Sequence, residues 1–381
     1  MKRFAPGVSQ KGLTLVELLI VVGLVSLVTG GVYMIYGKSM ESFRAEEQIL
    51  DMQDRLRFGL EHLKRDIRRS GFLVTPNSNA DINICPAPAF HLRAVTIGVG
   101  NGHVYQPGSG ANPNIAPDSI TMFGDFFSGQ TYRTSGISGN RVYLQATANF
   151  PATEDDFNRI FSANRYLRIV TADQFEIMLP IVEARWSERS IVLSQSIPMA
   201  GGGNFCGING FGETLEVNVA GFVGYSIMSD DRPNAPTGKS ILVRQELRLD
   251  GTNPVEGTRL VVADYVVDLQ FYDFAIAQDS TGSAPDIIYY PTYADLAGSG
   301  VNSLGSETDA NPEDLRALTV KMTVRTAEED PRLGFSAREG LDLPLDSFEL
   351  SDMEGACRTM SSASRLWLPS LAARNLKEGV L

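Results

Sequence analysis

Glu17 is the one charged residue in an otherwise largely apolar run from Leu13 to Tyr36. An unpaired carboxylate in a segment of that character is costly and has no use in a plain anchor, so its chemistry is to meet a positive charge inside an apolar medium. Few other residues are spaced for chemistry. Cys85, Cys206 and Cys357 stand far apart, with no Cys-x-x-Cys and no metal-ligand spacing. His62, His91 and His103 form no His-x-x-x-His. Gly238-Lys239-Ser240 has the end of a phosphate loop, but Pro233 occupies the position of its first glycine. No Gly-x-Ser-x-Gly elbow occurs, and Asp230-Asp231 and Glu328-Glu329-Asp330 lack the spacing of a calcium loop. The expectation is a protein that is not an enzyme, with no cofactor and no metal site. His62, placed among charged residues, reads as a surface side chain.

The elements that position Glu17 begin at the first residue. Lys2, Arg3 and Lys11 precede the apolar run and no acid accompanies them. Residues 13–36 would form a helix about 36 Å long, enough to cross a bilayer. The basic flank predicts a cytoplasmic N-terminus. A secretory signal would need a small-residue cleavage site after the run, and the nearest candidate, Thr29-Gly30-Gly31, lies inside it. From Ser39 to Ser70 the pattern turns amphipathic. Phe43, Ile49, Met52, Leu56, Leu60, Leu63 and Ile67 fall on one helical face, and Gly71 follows as a terminator. One helix from Leu13 to Ser70 would be about 87 Å long, with Gly30-Gly31 its weakest point.

Lys11-Gly12-Leu13-Thr14-Leu15-Val16-Glu17 and the apolar run after it resemble the class III leader junction of type IV pilins and type II secretion pseudopilins. That resemblance implies cutting by a prepilin peptidase between Gly12 and Leu13 and methylation of the new amine of Leu13. Leu13 stands where the family usually has Phe. The chemistry agrees with the residues. Cleavage creates a positive amine one helical turn from Glu17, and a neighbouring subunit's amine can meet Glu17 when its helix packs with an axial offset. Pairing then fixes the register of the incoming subunit.

Beyond Phe72 short β-rich runs alternate with Gly, Asn, Pro and Ser loops. Strands are predicted at 94–99, 119–123, 141–146, 166–171, 174–179, 190–194, 215–219, 224–228, 240–248, 260–274 (broken) and 317–326. Loops are predicted at 100–117, 200–212, 229–239 and 276–312. The fold class is therefore α+β. A long N-terminal helix, half transmembrane and half amphipathic, packs on an antiparallel sheet, with a β-rich lobe inserted. The chain divides into a leader (1–12), a membrane segment (13–36), an amphipathic segment (37–71) and a globular body (72–381).

The body is acidic. Net charge is −12 overall, and the thirty bases and 45 acids beyond the leader leave −15, which disfavours general nucleic-acid binding. If the body is exported, one disulfide and one spare thiol is the natural count for three cysteines. Three pairings are open. Cys85, just after the helix, and Cys206, in a Gly-rich loop, are the favoured pair; three buried reduced cysteines are the alternative.

Several segments resemble the PilW family of minor pilins: 56–72 at the helix end, Asp118-Ser119-Ile120-Thr121, 266–272, 315–322 and Leu371-Ala372-Ala373-Arg374-Asn375. The loops 100–117 and 276–312 have no counterpart there. The resemblance implies a minor pilin that helps start assembly at or near the filament tip. It would begin in the inner membrane, body periplasmic, and end in a pilus at the cell surface. Its implied partners are other minor pilins, the major pilin, prepilin peptidase and the inner-membrane assembly platform. A J-type minor pseudopilin and a tip-displayed adhesin are the alternatives.

Overall fold

The computed structural model describes residues 14–104, 115–201, 206–236, 238–278, 286–299, 304, 311–330, 347–348, 356–368 and 371. Helix α1 runs from Leu15 to Arg68 without interruption at Gly30-Gly31. The chain forms two units, divided between Asp51 and Met52. From Leu18 to Tyr36 the helix in the first unit carries no charge and is largely apolar on every face. Leu18, Leu19, Ile20, Val21 and Val22 are consecutive and all more than half exposed, and the mean hydropathy of the best window is 2.4. A helix that is apolar all round suits lipid rather than a one-sided core.

The second unit opens with the last turns of α1. Met52, Leu56, Leu60, Leu63 and Ile67 are buried as the periodicity predicts, whereas Phe43 is exposed, so the buried stripe begins at Met52. Strands β1 (Val95–Gly98) and β2 (Ser119–Gly124) pair antiparallel. Next come β3 (Tyr132–Ser138), β4 (Arg141–Leu144), helix α2 (Glu154–Ile160), β5 (Tyr166–Val170), β6 (Glu176–Arg185) and β7 (Ser190–Leu193). The long β8 (Glu216–Ser229) serves two structures. Through Glu216–Ala220 it pairs with β5, and through Glu216 and Val217 with β3. The ladders β3–β4, β4–β7, β7–β6 and β6–β5 complete a closed ring of six antiparallel strands. Val142, Leu167, Ile169, Leu179, Ile191 and Val217 fill it, and Phe157 of α2 joins that core. Closure leaves the ring without free edges. This is the inserted β-rich lobe.

Gly221 marks where β8 leaves the ring. A Cβ there would sit 2.8 Å from the Phe127 ring, so the lobe's first aromatic packs against bare backbone. Beyond it β8 pairs with β2 and with β9 (Ser240–Leu247), which pairs with β10 (Leu260–Asp264). Tyr265, at φ 57°, breaks the run before β11 (Val266–Gln278). Strand β12 (Asp286–Tyr290), helix α3 (Tyr293–Gly298), β13 (Leu315–Arg325), β14 (Ser347–Phe348) and β15 (Cys357–Trp367) follow. They build a second antiparallel sheet ordered β12-β11-β13-β15-β14. The stretch 276–312, predicted as loop, therefore holds a strand and a short capped helix. The helix end lies on both sheets: a Cβ on Gly59 would stand 2.8 Å from Met322 of β13 and 3.0 Å from Ala263 of β10. The architecture is α+β, a long N-terminal helix followed by antiparallel sheets.

Candidate functional site: the helix N-terminus

Gly12 and Leu13 lie outside the described residues, which begin at Thr14. Thr14 is the N-cap of α1: its carbonyl accepts the Leu18 N–H at 3.2 Å, the first bond of the helix ladder. Its backbone N–H and its hydroxyl both donate to Glu17 Oε2, at 2.9 and 3.0 Å. The Glu17 N–H in turn donates to Thr14 Oγ1 at 3.3 Å. This reciprocal capping box satisfies two of the donors a helix start leaves open. The sequence reading singled out Glu17 for its charge and passed over Thr14. The signal was present, because Thr-x-x-Glu before an apolar run is a capping pattern. Among the described residues both hydrogen bonds to the Glu17 carboxylate fall on Oε2 and none on Oε1. Further along, the Ser26 hydroxyl donates to the Val22 carbonyl at 2.8 Å, which hides the next polar group of the run inside its own helix.

The far end of α1 carries a buried network that sequence reasoning missed. Asp66, 2% exposed, accepts from the Tyr225 hydroxyl at 2.8 Å and from Arg244 Nε at 2.7 Å. His62 is not the surface residue expected. It is half-buried with Nδ1 2.8 Å from the Tyr225 hydroxyl, and burial holds its pKa below the ordinary value. Arg69 donates to the Asp125 carbonyl at 2.6 Å. A carboxylate inside a basic helix end draws the β8 and β9 side chains onto the helix. Nothing in the local pattern distinguishes Asp66 from a solvated acid.

Cys85 and Cys206 are joined as a disulfide with Cα atoms 5.2 Å apart, and Cys357 is free and buried. Burial pushes the Cys357 thiol upward. The acidic pairs are engaged as ion pairs: Asp230 with Arg232 and Lys239, Asp231 with Arg259, and Asp330 with Arg358. Among the described residues no three His, Cys, Asp or Glu side chains converge as a metal site.

Residues 8–33 match the family described as the prokaryotic N-terminal methylation motif. No curated protein and no solved structure matches the chain. The motif marks the chain as a type IV pilin-like or pseudopilin substrate of prepilin peptidase. With the apolar helix that begins at Leu15, it fits a precursor anchored in the inner membrane.

Proposed function

We propose that the protein is a minor pilin, similar to the PilW family, that helps start filament assembly and sits at or near the tip. On this reading residues 1–12 are removed after Gly12, Leu13 is N-methylated, 13–36 span the membrane, 37–71 form the amphipathic segment and 72–381 are the exported body. The observation that carries it is the methylation motif running directly into a helix whose one charge in the apolar run is Glu17. The capping box supports a role for that charge. Glu17 Oε2 is held by its own Thr14, so the carboxylate is oriented before a partner arrives, and Oε1 is left to accept a neighbouring subunit's Leu13 amine. Cleavage between Gly12 and Leu13 leaves the Thr14 amide intact, so the cap survives processing. Assembly then exchanges lipid for a partner helix around an already ordered helix start.

The test is genetic and biochemical. A strain lacking this chain should lose most surface filaments, and the tagged chain should co-purify with other proteins carrying the same leader motif. Undiminished piliation together with purification free of such partners would contradict the assignment.

A further inference from the structure

Across the second sheet, Tyr289 of β12, Ala275 of β11, Ala317 of β13 and Trp367 of β15 are successive cross-strand partners and so share one face. By alternation along β13 this is the face opposite Met322, which meets α1 at Gly59. The two end residues are aromatic and more than half exposed, 54% for Tyr289 and 57% for Trp367. Three strand steps set their backbones about 14 Å apart, and only alanines stand between them in that row. Arg365, two residues before Trp367, shares its face, and its guanidinium lies 5.3 Å from the centre of the Tyr289 ring. It donates to Asp273 Oδ2, which also accepts from the Thr319 hydroxyl at 3.3 Å. Asp273 does not arrive there by regular alternation. The β11–β13 register shifts between Tyr272 and Ala275, and Asp273 sits within that shift at φ 54°, in the left-handed region. A bulge re-aims a side chain, and a non-glycine residue held at positive φ is strain of the kind found where ligands bind. Here it brings a carboxylate beside Arg365 between two exposed rings.

A carboxylate only accepts hydrogen bonds and a guanidinium only donates them, so a group that meets both must do both, as a hydroxyl does. The flanking rings call for a flat apolar face. A pyranose with equatorial hydroxyls supplies the two together, C–H surface on its faces and hydroxyls around its rim. A protein partner fits less well, because the centre of a protein interface is depleted in charged groups and this centre is an ion pair. The net charge of −12 repels polyanions. We infer that the Tyr289–Trp367 face of the second sheet binds a neutral, β-linked glycan chain, the two rings stacking on sugar faces while Asp273 and Arg365 bond to hydroxyls between them. The distance between the rings calls for a chain of sugars rather than a single one. The site lies wholly within the second unit, so it stands whether or not the chain enters a filament.

Calorimetric titration of the full, detergent-solubilised chain checks this, with cellohexaose and chitohexaose as separate neutral probes and polygalacturonate as the anionic one. At least one neutral hexasaccharide should bind, and polygalacturonate should not. Trp367→Ala and Tyr289→Ala should each weaken that binding about tenfold. Asp273→Asn, which a left-handed backbone accepts, should weaken it about fivefold. Trp367→Tyr should restore most of what Trp367→Ala loses, which separates a missing ring from a damaged fold. Phe211→Ala, at a site 81% exposed in the loop before β8, should change nothing. Failure of both neutral probes to bind, preference for polygalacturonate, affinity unchanged in Trp367→Ala and Tyr289→Ala, or Trp367→Tyr as weak as Trp367→Ala would each overturn the assignment.

Discussion

Thr14 and Glu17 bond to each other in both directions, so substitutions at Glu17 divide two roles. Gln at this helix position can still close a capping box, whereas Ala and Leu cannot. Glu17→Gln, Glu17→Ala and Glu17→Leu should all leave membrane insertion and leader cleavage intact, since each makes the span less charged. All three should weaken recruitment of leader-bearing partners, measured by co-purification at equal protein level. Normal recruitment by Glu17→Gln would reduce Glu17 to a cap. Asp66 has a different kind of importance. Asp66→Ala leaves Arg244 without its carboxylate and should cost about 3–5 kcal/mol in denaturant unfolding of the detergent-solubilised chain. Two further residues oppose each other in pH. Burial raises the Asp118 carboxyl to about 6 against backbone donors from Phe271 and Gly100, so its contribution is full below pH 4 and is lost as pH rises through about 6. Burial and Arg93 lower His91 to about 4, so its contribution is full above its ordinary value and is lost as pH falls towards 4. His91→Gln removes the second effect. Unfolding measured at pH 6.5 and 4.5 should show the variant gaining stability on acidification relative to the parent.

At the scale of elements, the helix end seats on the sheets at Gly59. Ala there would gain helix propensity of about 1 kcal/mol yet must displace Met322 and Ala263. Gly59→Val adds bulk the seat cannot absorb and should destabilise by about 1–3 kcal/mol on the same unfolding assay. The helix was legible in the sequence because its apolar period is strong, and most strands were legible as β-branched runs. Strands β3, β12, β14 and β15 were not. Strand β15 (CRTMSSASRLW) is rich in serine, and its pairing with β13 supplies the order its composition lacks. Strand β8 read as two because Gly221 interrupts the pattern at the point where the strand passes from ring to sheet. Closure of the ring depends on pairings between distant segments, which no local pattern reveals.

For the whole molecule, the Cys85–Cys206 bond encloses a sequence separation of 121, tying the segment after α1 to the loop beyond β7. By chain-entropy reasoning such a link contributes about 4–5 kcal/mol, so Cys206→Ser should unfold at distinctly lower denaturant. Peptide mapping without reduction should find the 85–206 bridge and a free Cys357 in protein folded outside the cytoplasm. Glu17 was legible as a lone charge in an apolar run. Gly12 and Leu13 rest on the motif alone, and the whole account turns on the bond between them. The most direct measurement is the intact mass of the chain extracted from membranes that contain prepilin peptidase. The account expects a single species lacking residues 1–12 and carrying one methyl group on the Leu13 amine, abolished when Gly12 is replaced by a bulky residue. An uncut chain, or a mature start at any other residue, would contradict it.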